Sequence, residues 1–100
     1  MAKYQVEFSE EAIADLEGSF EWGCEKWGAV EAATWYVDTR DSIFDLLSAF
    51  PLGHPIAPEN DQYEVEARQL TLDRYSVIFN VTDNVVTILH IRGPYSGSWK

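Results

Sequence analysis

A chain of 100 residues with 46% hydrophobic and 14% aromatic content is sized for one domain around one packed core, so a single domain over residues 1–100 is expected. Seventeen Asp and Glu against seven Lys and Arg give a formal charge of −10, which disfavours generic nucleic-acid binding and direct contact with DNA unless the few cations converge on one patch. The single cysteine, Cys24, excludes an internal disulfide framework or a multi-cysteine zinc site, and no stretch approaches the roughly 20 apolar residues of a membrane span; a soluble, cytoplasmic protein without a membrane anchor is expected.

The residues Tyr4-Gln5-Val6-Glu7-Phe8 alternate apolar and polar, the period of a half-buried strand. Ser9 follows as a helix N-cap, with Glu10 and Glu11 in the electropositive first turn. From there Ala12, Ile13, Leu16, Phe20 and Trp27 recur at spacings of three, four or seven, which predicts an amphipathic helix ending at Gly28. A second helical period places Ala33, Tyr36, Val37, Ile43, Phe44, Leu47 and Phe50 inward and ends before Pro51. So short a turn between the helices makes them an antiparallel hairpin, expected to bury Ile13, Leu16, Phe20, Val37, Phe44 and Leu47 against a sheet. Arg40, beside the apolar stripe, is expected to pair with Asp41 or Glu31, and Cys24 reads as a half-buried helical thiol.

Residues 51–61 hold three prolines and a glycine with neither period and form a loop. Three strand-like runs follow: Val65 to Leu72, Tyr75 to Val81 and Val85 to Arg92. The breaks at Asp73-Arg74 and Thr82-Asp83-Asn84 have turn composition and suit tight hairpins. The fold class is therefore α+β: β-α-α-β-β-β in two layers, the helical hairpin on one face of a mainly antiparallel four-stranded sheet.

Several pieces of this order resemble a known family. The run Glu66-Ala67-Arg68-Gln69-Leu70-Thr71-Leu72-Asp73-Arg74-Tyr75-Ser76-Val77-Ile78-Phe79-Asn80-Val81 resembles the segment of ParE-like toxins where an arginine-bearing strand, a turn and a Tyr-led strand follow one another. The run Ile88-Leu89-His90-Ile91-Arg92 is similar to their final strand, as are Val6-Glu7-Phe8-Ser9-Glu10-Glu11-Ala12 and Phe50-Pro51-Leu52-Gly53-His54-Pro55 to their opening and loop. The chain thus resembles the RelE/ParE toxin superfamily of type II toxin–antitoxin systems, closer to its ParE-like members. The resemblance implies a growth-inhibiting, plasmid-stabilising toxin neutralised by a cognate antitoxin protein and acting on a protein target such as DNA gyrase. The alternative it implies is a RelE-like, ribosome-dependent mRNA endoribonuclease.

The departures separate the two. In RelE-like nucleases an arginine follows the tyrosine that opens the third strand, whereas Ser76 stands there in this chain; their final strand runs into a basic or His-Tyr tail, whereas here Gly93-Pro94-Tyr95-Ser96-Gly97-Ser98-Trp99-Lys100 follows Arg92. Cleaving RNA through its own 2′-hydroxyl needs a base, a donor for the leaving oxygen and cations for the phosphorane. The candidates are Arg68, Arg74 and Arg92 as cations, His90 as base or acid and Tyr95 as donor, with strand alternation putting His90 and Arg92 on one face and Leu89 and Ile91 on the other. Each also has a plain structural role: Arg68 paired with Glu64 or Glu66, His90 a hydrogen-bonded sheet residue, Tyr75 and Phe79 packing. Trp27 is expected in the core. Trp22 and Trp35, off the main stripes, together with Arg74 and Trp99, are the candidate contacts to antitoxin or target. His54 has no partner at metal-ligand spacing, so neither a metal nor a cofactor is expected.

Overall fold

The computed structural model describes residues 3–72 and 74–93. Strand β1 (Gln5–Phe8) leads into helices α1 (Glu10–Trp27) and α2 (Ala29–Ala49), two single-turn 3₁₀ segments (Pro51–Gly53 and Asn60–Gln62), and strands β2 (Arg68–Leu72), β3 (Tyr75–Thr82) and β4 (Val85–Arg92). The sheet order is β1-β4-β3-β2. The two hairpin pairings are antiparallel, and β1 lies parallel to β4. Between these two parallel strands the chain runs through both helices and the hairpin strands β2 and β3.

Local chemistry sets the helix limits. Ser9 caps α1, its hydroxyl accepting the Ala12 amide at 3.1 Å. Gly28, the one residue between the helices, takes φ 97°, ψ 158°, and serves as C-cap of α1 and N-cap of α2: its amide donates to Cys24 O and its carbonyl accepts from Ala32 N. Pro51 ends α2 by opening the first 3₁₀ turn.

The core lies between the hairpin and the inner sheet face. It joins Ala12 and Leu16 of α1 and Ile43 and Leu47 of α2 to Leu70, Val77, Phe79, Val86, Ile88 and Ile91 of the sheet. This corrects the expected inner stripe: Leu16 and Leu47 are buried, but Ile13, Val37 and Phe44 are 41, 43 and 49% exposed, and Trp27, expected in the core, is 41% exposed. The buried stripes are Ala12, Leu16, Ser19 and Gly23 on α1 and Ala32, Thr39, Ile43 and Leu47 on α2. Small residues let the backbones approach: a Cβ built on Gly23 would stand 3.3 Å from Ala32 Cβ.

The outer sheet face is covered too. Ala57 and Ala67 form a second, smaller core with Ile78, with Tyr63 and Leu89 packed against it. The segment after α2 is held there by a bridge between Ile56 and Arg68, by the Gln69 amide on Pro55 O and by Asn60 Oδ1 accepting the Ala67 amide at 2.7 Å. That hold keeps residues 65–67 out of β2, which starts at Arg68 rather than Val65.

Candidate functional site

Two surfaces carry chemistry. The first gathers the sheet's cations against the covering loop. Arg68, at the start of β2, donates from Nη1 to His54 O at 2.7 Å and lies 3.4 Å from Glu66 Oε1, the pairing expected from its sequence neighbours. Arg92, at the end of β4, directs Nε to Glu59 Oε2 at 3.8 Å.

His90 owes its position to a bulge. The β3–β4 register runs Ile78↔His90 and then Phe79↔Ile88, leaving Leu89 unpaired. Strict alternation over β4 therefore fails: Ile88 and Ile91 both enter the main core while Leu89 joins the outer one. His90 and Arg92 do both meet the loop side, His90 with its ring 6.3 Å from that of Tyr63. The His90 Nδ1 atom, however, stands 3.2 Å from Asp15 Oδ2 of α1. That oxygen also accepts the Ile91 amide at 2.9 Å, so α1 closes the edge of β4 beyond the end of β1. Ser9 continues the closure, its amide donating to Ile88 O and its hydroxyl to Leu89 O. Each of the three sheet candidates, Arg68, His90 and Arg92, thus faces a carboxylate of its own: Glu66, Asp15 and Glu59.

Arg74 is exposed in the β2–β3 turn. Trp22 and Trp35 are half-buried in a chain of ring contacts running Trp22–Trp27–Trp35–Tyr75, with centroid separations of 5.5, 6.4 and 5.1 Å. The remaining candidates, Tyr95 and Trp99, lie outside the described residues. His54 packs edge-on to Phe79 at 6.0 Å. Among the described residues no group of three or more His, Cys, Asp or Glu is placed to hold a metal ion, and no helix is long and apolar enough to cross a membrane.

The second surface is the outer face of the hairpin. Phe20 meets Tyr36 edge-on at 5.7 Å, and beside this contact a groove of about 400 Å³ is lined by Glu17, Phe20, Glu21, Ala33, Tyr36 and Val37.

The order of these elements, with the hairpin on one face of a four-stranded mixed sheet, coincides with a known toxin fold. Residues 6–93 match the family model for the ParE toxin of type II toxin–antitoxin systems, parDE. The chain belongs to the ParE toxin family. Among solved structures, this ParE-family chain is similar to one from the chromosomal ParDE toxin–antitoxin system of P. aeruginosa. The match has a TM-score of 0.74 and 22% identity over 90% of this chain and 95% of that one. It is also similar to a chain of the RelBE2 toxin–antitoxin complex from Mycobacterium tuberculosis, with a TM-score of 0.62 and 21% identity over 96% and 97%. At such identities the two structures establish the ParE/RelE fold and no more. No curated protein is a significant match.

Sequence reasoning missed Asp15, Glu59 and Tyr63 as partners of His90 and Arg92. The separation of 75 residues between Asp15 and His90 leaves no local signal.

Proposed function

We propose that this ParE-family chain is the toxin of a type II pair, held by a cognate antitoxin and acting by binding a protein target such as DNA gyrase rather than by cutting RNA. The observation that carries this reading is that each of the three sheet candidates for phosphate chemistry, Arg68, His90 and Arg92, lies against an acid. A scissile phosphate approaching Arg68, His90 or Arg92 would meet Glu66, Asp15 or Glu59 at the same place, in a chain already at −10. Ser76, opposite Arg92 in the β3–β4 register, brings no charge to that end of the sheet. Plasmid stabilisation and a cytoplasmic site of action follow from the same reading.

The endoribonuclease alternative has one observation in its favour. Asp15 orients the His90 ring through Nδ1, the way a carboxylate orients a general base. Induced expression followed by parallel assays separates the two: inhibition of DNA supercoiling by the purified chain with intact transcripts supports the proposal, and discrete mRNA cleavage on ribosomes overturns it.

A further inference from the structure

After α2 the chain folds into a small flap on the outer sheet face. Residues 57–67 leave and return at one point: the Ala57 amide donates to Ala67 O at 2.8 Å, and Asn60 Oδ1 ties the neck again by accepting the Ala67 amide at 2.7 Å. This is the form of an Ω-loop, a compact segment whose ends meet. It holds four acids, Glu59, Asp61, Glu64 and Glu66, and no lysine or arginine. Beyond the neck it reaches over β4, where Glu59 faces Arg92 and the Tyr63 ring stands 6.3 Å from that of His90.

Arg92 belongs to a row of polar residues. Ser76 is its register partner on β3, and Thr71 is the partner of Ser76 on β2. The adjoining row, Ile91, Val77 and Leu70, is in the main core, so by strand alternation Arg92, Ser76 and Thr71 stand together on the outer face. The Thr71 hydroxyl accepts from Gln69 Nε2 at 3.3 Å, which leaves its own hydrogen to donate. Cross-strand neighbours lie about 4.5–5.5 Å apart at Cβ, close enough for one guanidinium and two hydroxyls to meet the oxygens of a single tetrahedral anion.

Glu59 is a poor substitute for that anion. Its Oε2 is 3.8 Å from Arg92 Nε, beyond hydrogen-bond distance, and Nε is buried without a hydrogen-bond partner. The guanidinium is therefore neutralised but not satisfied, and an oxygen brought within about 2.9 Å would gain a charge-assisted bond that Glu59 does not make. The Glu59 side chain is not needed locally: it precedes the 3₁₀ turn Asn60–Gln62 and makes no capping bond. We infer that the flap is an autoinhibitory strap, its Glu59 carboxylate held over a site for a phosphate oxyanion formed by Arg92, Ser76 and Thr71. With the strap closed the native chain binds such anions weakly, in keeping with the protein-target reading above but independent of it.

The test measures binding of two probes to the full chain at low salt: a fluorescein-labelled single-stranded RNA oligonucleotide by anisotropy, and inorganic phosphate by isothermal titration. Glu59→Gln should raise the affinity at least roughly fivefold. Glu64, exposed on the same flap, carries the same charge, and Glu64→Gln should change the affinity less than about twofold. Adding Arg92→Ala to Glu59→Gln should return the affinity to the native level or below. Because Glu59 makes only the 3.8 Å contact, the thermal melt of Glu59→Gln should hardly move. A gain with RNA alone identifies a chain phosphate as the ligand, and a gain that includes free phosphate identifies the single group; either supports the inference. Equal effects of Glu59→Gln and Glu64→Gln, no gain in either, or a gain that survives Arg92→Ala overturns it. None of these outcomes depends on the toxin's target, which the supercoiling and cleavage assays above decide separately.

Discussion

Asp15 and His90, 75 residues apart, meet through a single carboxylate oxygen: Oδ2 stands 3.2 Å from His90 Nδ1 and 2.9 Å from the Ile91 amide it accepts. This contact fastens the middle of α1 to the half of β4 that β1 does not reach, and it sits beside the bulge at Leu89. Asp15→Ala leaves the Ile91 amide and the imidazole without their acceptor, which commonly costs about 1–3 kcal/mol; partial exposure of the pair puts the expected loss in the lower half of that range. Asp15→Asn keeps an oxygen for the Ile91 amide and should lose less. Urea midpoints of the three proteins give the comparison, and an Asp15→Ala midpoint equal to the native one would show that the contact contributes nothing.

The inverted helix faces give the second prediction. Leu16 and Leu47 are buried among the inner sheet residues, so Leu16→Ala or Leu47→Ala should cost about 2–5 kcal/mol. Ile13→Ala and Phe44→Ala, at equal or greater change in side-chain volume, should each cost under about 1 kcal/mol because much of each side chain already meets solvent. Chemical denaturation of the four variants measures the contrast. Equal losses at Phe44 and Leu47 would contradict the arrangement.

Those same residues show what the sequence does and does not make legible. The Ser9 cap, the Gly28 break, the Pro51 stop and the two tight turns are local signals, and each element limit they set agrees with the structure to within about a residue. The inward face was misread because size and burial part company here: the bulkiest stripe is outward, while Ala, Ser and Gly occupy the close approaches. The β4 bulge contains neither Gly nor Pro, so nothing in Ile88-Leu89-His90 announces that alternation breaks there. The cation candidates were found by residue type, but the acids that face them come from α1 and the loop, and only the tertiary fold brings those together.

Gly28 is the third point of leverage. Its φ of 97° with ψ of 158° lies in a region open to glycine almost alone, and nothing stands within 4 Å of where its Cβ would be. Any cost of Gly28→Ala is therefore backbone strain, about 1–3 kcal/mol, free of steric clash. A lowered melting temperature with unchanged helical circular dichroism below the transition is expected. A native-like melting temperature would mean that the junction relaxes to another conformation without loss.

The last prediction concerns His90 and Arg92, the pair on which any nuclease chemistry would rest. Were they catalytic, removing either charge donor would commonly cost about 2.7–4 kcal/mol of transition-state stabilisation, a roughly hundred- to thousand-fold loss of cleavage. The reading proposed here expects no cleavage to lose: primer extension on cellular mRNA should give the same intact transcripts for the native chain, His90→Ala and Arg92→Ala. Because His90 shares Asp15 with the Ile91 amide, His90→Ala should still lower stability modestly, whereas Arg92 has only the long 3.8 Å contact to Glu59 and Arg92→Ala should lower it less. Growth arrest should then persist in Arg92→Ala at native strength and in His90→Ala in proportion to the folded protein present. Discrete cleavage sites that appear with the native chain and vanish in either variant would instead assign the Asp15–His90 pair to catalysis.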